Sequence, residues 1–157
     1  MAAKQLEATH ELVLTRRLDA SPHALWRCWT EPELMKRWYT PRPWTTPAIE
    51  VDLRVGGGTY VKMRGPNGEE HDHHGVYLEL VPDRRIVFTD AYRAGWIPTG
   101  NPFFTGIVDF VADRNGAIYT ARARHWREED MKTHERMGFH DGWGKAADQL
   151  QEVAKSL

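Results

Sequence analysis

The amino-acid sequence predicts an α+β architecture in which a curved antiparallel sheet wraps one long C-terminal helix. Three observations carry this expectation. Residues 11–126 hold a succession of period-two apolar segments, residues 22–38 interrupt them with two short helical stretches, and residues 128–157 turn to helical periodicity.

The first strand is read over Glu11–Leu18, where Leu12 and Leu14 alternate with polar neighbours until Asp19-Ala20-Ser21-Pro22 stops them. Ser21-Pro22 is a cap followed by a first-turn proline, and Leu25, Trp26 and Trp29 follow at helical spacing. Pro32 opens a second short helix expected to reach Trp38, ahead of Pro41. Ile49, Val51, Leu53 and Val55 then alternate with Glu50, Asp52 and Arg54, which predicts a strand running to the Gly56-Gly57-Gly58 turn, with Thr59–Arg64 as its hairpin partner. Gly65-Pro66-Asn67-Gly68 is a turn, and His71–Leu80 and Arg84–Tyr92 read as two further strands. Residues 93–101, with Gly and Pro but no period, are expected to form a long connection near a pocket mouth. Phe103–Val111 and Ala117–Trp126 supply the last strands around a tight Asn115-Gly116 turn, giving six to seven in all. From Glu128 the helix runs to Leu157, broken or bent around Gly138 and Gly142. Its apolar face carries Phe139, Trp143, Ala146, Ala147, Leu150, Val153 and Leu157.

A chain of 157 residues is expected to form one domain over 1–157, with residues 1–9 as a loosely ordered N-terminal segment. It can bury enough surface to fold without disulfides or a structural metal, and its single cysteine, Cys28, agrees with that. The first residues hold no apolar run long enough for a signal peptide or spanning helix, so a cytoplasmic location is expected. With 21 Lys+Arg against 22 Asp+Glu, nothing in the charge balance pulls the chain to nucleic acid or into a membrane. Seven tryptophans spread along the chain mark either a full core or a hollow one.

Several segments together resemble the activator of heat-shock-protein-90 ATPase homologue-like family, within the START-like (SRPBCC, birch-pollen-allergen-like) superfamily. They are Ala20…Leu25-Trp26-x-x-Trp29-Thr30-x-Pro32, Leu34-x-x-x-Trp38-Tyr39, Val51-Asp52-Leu53-Arg54-x-Gly56-Gly57 and Met63-Arg64-Gly65-Pro66-x-Gly68. His74-Gly75-Val76-Tyr77, Ile86-Val87-Phe88-Thr89-Asp90 and Met137-Gly138-x-x-x-Gly142-Trp143 continue the series. The resemblance runs from about Leu12 to Leu157 and implies the helix-grip fold, with a cavity between sheet and helix. The chain departs from it at Trp38-Tyr39-Thr40-Pro41, where relatives commonly carry Trp-Trp-Gly-Pro.

The functional expectation is a binder of a small apolar or amphipathic molecule, without a defined reaction, cofactor or metal. Its walls are expected from Trp26, Tyr60, Met63, Tyr77 and Phe88, and from Phe110, Trp143 and Leu150. Trp96 is expected as a lid, and His74 as a cavity residue that orients a polar ligand group. A second reading, from the family name, is a protein-binding domain of the heat-shock co-chaperone type acting in stress response. A third is a cyclase- or hydrolase-type enzyme using His74 or Asp90 as base. A homodimer enters only as a base rate. His71-Asp72-His73-His74 could be taken for a zinc site, but strand alternation puts only two ligands on each face. The Ala121/Ala123 face of the last strand is expected to point inward, with Arg122 and Arg124 in solvent.

Overall fold

The computed structural model describes residues 8–157, so the expectation for the N-terminal segment falls outside the described residues except at positions 8 and 9. Strand β1 (Glu11–Leu18) leads into helix α1 (Pro22–Thr30), where the Ser21 hydroxyl accepts the Ala24 N–H and Pro22 fills the first turn. Helix α2 (Pro32–Met35) is shorter than expected. Lys36–Tyr39 continue as turns, with the Lys36 N–H bonded to Pro32, the Arg37 N–H to Leu34 and the Trp38 and Tyr39 N–H groups to Met35, and the Trp38 indole N–H donates to the Cys28 carbonyl at 2.8 Å. The chain leaves helical geometry there because Trp38 is drawn into the core.

Strand β2 (Thr45–Val51) ends four residues before the expected Val55. The Asp52 N–H bonds Gly58 and the Arg54 N–H bonds Asp52, so residues 52–57 form a tight loop with Leu53 and Val55 exposed. Strands β3 (Gly58–Arg64), β4 (Glu70–Val81) and β5 (Arg85–Thr89) follow as a meander. Strand β5 ends at Thr89, short of the expected Tyr92, and that residue and part of the expected 93–101 connection hold a small hairpin of β6 (Tyr92–Arg93) and β7 (Ile97–Pro98). Strands β8 (Phe104–Asp113) and β9 (Gly116–His125) complete a seven-stranded sheet of order β1-β9-β8-β5-β4-β3-β2 with every pairing antiparallel.

The C-terminal segment is two helices. Helix α3 (Glu128–Arg136) stops at Met137, and Gly138, at φ 94°, turns the chain into α4 (Phe139–Lys155). That left-handed backbone is open to glycine at little cost and strained for other residues. Helix α4 runs unbroken through Gly142 and Gly144, and Leu157 lies exposed beyond it. A side chain at Gly144 would start 2.6 Å from Arg16 Nη2 of β1, so this glycine leaves room for the end of that arginine. Helix α4 packs on α1, β1 and α3.

Register and burial define the concave face. Leu12 and Leu14 of β1, Tyr119, Ala121 and Ala123 of β9, and Val108 and Phe110 of β8 are buried with Leu150 and Val153 of α4. Arg122 and Arg124 point outward and hold Glu11 at 2.8 and 2.6 Å. This is the helix-grip arrangement, an α+β fold. Among the described residues no helix is long and apolar enough to cross a membrane.

Candidate functional site

Helix α4 covers the β1–β9 side of the concave face, while α2 packs on β2 at the other edge. Between them the inner face of β3, β4 and β5 lacks a helix of its own. Its residues are half-buried or exposed: Met63 and Phe88 in the first class, His71 and His73 in the second, with Trp44 stacked on His71 at 5.6 Å. The Phe88 ring lies in front of Gly106 on β8, which has room for it only because residue 106 carries no side chain. Beyond Phe88 the rings run on in contact, Phe104 at 6.0 Å and Trp29 at 5.9 Å, and Trp143 reaches Phe104 from α4 at 5.9 Å. These ring contacts form an aromatic strip, the groove, along the part of the concave face that no helix covers.

Beneath it, in or against the packed core, four polar groups lie together. The Tyr39 phenol is pushed up to about 12 by burial, although the residue as a whole is half-buried. Tyr77 of β4 and Tyr119 of β9, each 3 % exposed, are pushed up further by the same cause, and each is close enough to the Tyr39 oxygen to feel its charge. The fourth group is the Trp29 indole N–H. It lies near enough to the Tyr119 oxygen to favour the phenolate, but does not reach hydrogen-bond geometry, and it is sealed from solvent without a partner. An orphaned buried donor of this kind typically costs about 1–3 kcal/mol, and native proteins rarely keep one idle.

Tyr39 is held in place from α4. Gln149 is buried, and its amide donates to the Trp38 and Thr40 carbonyls at 3.0 and 2.9 Å while its oxygen accepts the Arg42 N–H at 2.9 Å. The Thr40 and Thr46 hydroxyls bond one another alongside. Thus the Tyr39-Thr40 stretch is fastened on both sides.

At the β8–β9 end lie His125 and His134, joined at 3.1 Å between Nε2 and Nδ1. Close by, the Asp90 carboxylate accepts the Phe103 N–H at 2.9 and 3.0 Å and the Phe104 N–H at 3.3 Å, and burial raises its pKa.

Of the residues named from sequence, Tyr77 joins the main core cluster and Phe88 and Trp143 pack against it, while Met63 packs against the separate cluster of Met35, Ile49 and Val61. Trp26 packs at the edge of the core, and Phe110 and Leu150 lie inside it, away from any opening. Tyr60 and His74 are corrected outright. They are cross-strand partners on the convex face, stacked at 4.9 Å, with the Tyr60 hydroxyl donating to Asp72. Their neighbours Val61 and Gly75 take the inner face, and alternation sends these two out. Trp96, 51 % exposed, sits against Gly56 and the Tyr92 ring on the β6–β7 hairpin rather than over the groove. His71 and His73 share one face of β4 and Asp72 and His74 the other. Cys28 is buried, its thiol pushed up to about 11 by desolvation. Trp29, Tyr39, Phe104, Tyr119, His125 and His134 belong to the groove without having been singled out from sequence as its walls.

The profile of the family described as Activator of Hsp90 ATPase homolog 1-like protein matches residues 19–155. Among solved structures, a protein of Nitrosomonas europaea is 36% identical, covering 96% of this chain and 97% of that one with a TM-score of 0.92. A protein of Arthrobacter aurescens, 22% identical over 99% of this chain and 91% of its own, superposes with a TM-score of 0.80. An AHSA1-like protein of Aeromonas hydrophila, 17% identical over 93% and 92%, does so at 0.71. These last two share the fold. A comparison with curated proteins finds no match.

Proposed function

The chain belongs to the Activator of Hsp90 ATPase homolog 1-like family, and on that footing we propose that it binds a small amphipathic molecule on the concave side of its sheet. The ligand's apolar body lies along Phe88, Phe104 and Trp143, and its acceptor group meets Tyr39, Tyr77, Tyr119 and Trp29. The observation that carries this reading is the Trp29 N–H, buried with no partner. A ligand oxygen among three phenols supplies the missing bond. The enzyme reading loses its residues, since His74 faces solvent and the Asp90 carboxylate is committed to the Phe103 and Phe104 N–H groups. We place the protein's work in the cytoplasm.

Removing idle hydroxyls from an apolar interior separates ligand binding from folding. The Tyr77→Phe/Tyr119→Phe double variant is expected to unfold at the same or a higher urea concentration than the wild type, because neither phenol has a fixed partner to lose. Its affinity for anilinonaphthalene sulfonate, read by fluorescence titration, is expected to fall about tenfold through loss of the contacts to the sulfonate. Unchanged dye affinity counts against the groove as the site.

The exposed apolar residues Leu53, Val55, Trp96 and Ile97 support a second reading, in which the 52–57 loop and the β6–β7 hairpin form a protein-docking surface of the co-chaperone kind. Retention of a heat-shock ATPase on immobilised wild type, lost with Trp96→Ala, is its signature. Equal retention on both proteins rejects this surface.

A further inference from the structure

The surroundings of the His125–His134 pair fix which of its nitrogens carry protons. His125 closes β9, and its Nδ1 lies 2.9 Å from the Phe103 carbonyl oxygen, an atom that can only accept, so Nδ1 carries the proton. In a neutral ring that leaves Nε2 as an acceptor, and the His134 Nδ1 facing it at 3.1 Å is the donor. His134 is left with a bare lone pair on Nε2. Both rings are neutral near pH 7, since burial lowers each and holds His134 at about 4.

His134 is 9 % exposed, and its Nε2 has no partner among the described residues. Four aromatic side chains surround the imidazole, with centroids at 5.2 Å for Phe103 and Phe139, 5.4 Å for Phe104 and 5.9 Å for Trp143. Rings arranged this way favour a flat apolar group, and an unpartnered lone pair favours a hydroxyl or N–H while repelling a carboxylate. Phe104 touches both this box and Phe88, so the box continues the groove.

We infer that Nε2 of His134 is the polar anchor of a subsite for a neutral aromatic ring bearing a hydroxyl group, at the α3 end of the groove. The subsite rests on the groove reading and adds a second recognition element to it. The tyrosine centre takes the ligand's acceptor, and His134 takes its donor. His125 is a positioning residue, because its Nε2 holds the proton of His134 on Nδ1.

The test compares 2-naphthol with 2-methylnaphthalene, which has the same rings without the donor, by NMR of full-length protein carrying 15N-labelled histidine at pH 7.5. Wild type is expected to bind the naphthol about tenfold more tightly, as one added hydrogen bond in a desolvated site allows. The His134 Nε2 resonance is expected to move toward a hydrogen-bonded position while Nδ1 stays protonated. In His134→Phe the preference disappears and methylnaphthalene affinity persists; if this variant fails to fold, the Nε2 shift in wild type decides alone. Equal binding of the two compounds, or tighter naphthol binding with Nε2 unmoved, overturns the subsite and leaves the groove standing. Binding of neither compound overturns both.

Discussion

Replacing Gln149 by leucine is expected to lower stability by about 3 kcal/mol, a fall in Tm of about 10 °C for a domain of this size. Leucine matches the volume of the side chain closely enough to avoid a large cavity, so the loss isolates hydrogen bonding. Three backbone groups are orphaned at once: the Trp38 and Thr40 carbonyls and the Arg42 N–H. Gln149→Glu does no better, because a carboxylate keeps the Arg42 bond but faces two carbonyl oxygens and buries a charge. The segment released is the one that carries Tyr39, so dye affinity is expected to fall with stability. A loss below about 1 kcal/mol in urea unfolding, with dye affinity intact, means that water replaces the amide and that Gln149 does not position the groove.

The second large effect is on pH. His134 has a folded pKa of about 4 against an ordinary 6.5, so the unfolded chain binds a proton that the folded one refuses. Stability is therefore complete above pH 6.5, declines as the pH falls toward 4, and levels off for this group below that. The shift corresponds to about 3 kcal/mol for a residue this deeply buried. His125, lowered by the same burial, adds to the loss in the same direction. Urea unfolding of wild type at pH 7.5 and pH 4.5 measures the difference. Equal stability at the two values means that the pair is already protonated when folded, or is open to water. Either result contradicts a buried, neutral His134.

Much of the fold was legible because its signals are local. Alternation at Leu12/Leu14 and Ile49/Val51, the Ser21-Pro22 cap and the helical spacing of Trp143, Ala147 and Leu150 each state an element without knowledge of its neighbours. Where the reading overshot, a tertiary contact had overridden a local pattern. The Leu53 and Val55 alternation continues on paper, but the Asp52–Gly58 bond turns the chain before it can pair. The two-residue hairpin at 92–98 is too short to show a period.

The site was less legible, and part of the miss was avoidable. Tyr60 and Met63 lie three apart on one strand, as do His74 and Tyr77 on the next, so alternation itself puts the members of each pair on opposite faces. Neighbouring apolar residues decide which: Val61 and Ile49 form a buried cluster with Met35, so Met63 goes in and Tyr60 out. By contrast, no local signal marks His134. It is the buried residue of a helix whose one apolar side chain is Met131, and its partner His125 lies across the turn between β9 and α3. Trp29, Tyr39, Tyr77 and Tyr119 come from four separate elements. Only the curvature of the sheet brings them together.

Native mass spectrometry of the full chain purified from cells, set against the same sample after denaturation, tests the central claim most directly. The groove account predicts a discrete additional mass that denaturation releases and that the Tyr77→Phe/Tyr119→Phe variant retains poorly. The bare chain mass throughout, together with no uptake of anilinonaphthalene sulfonate when the dye is added, contradicts it and leaves the aromatic interior as core alone.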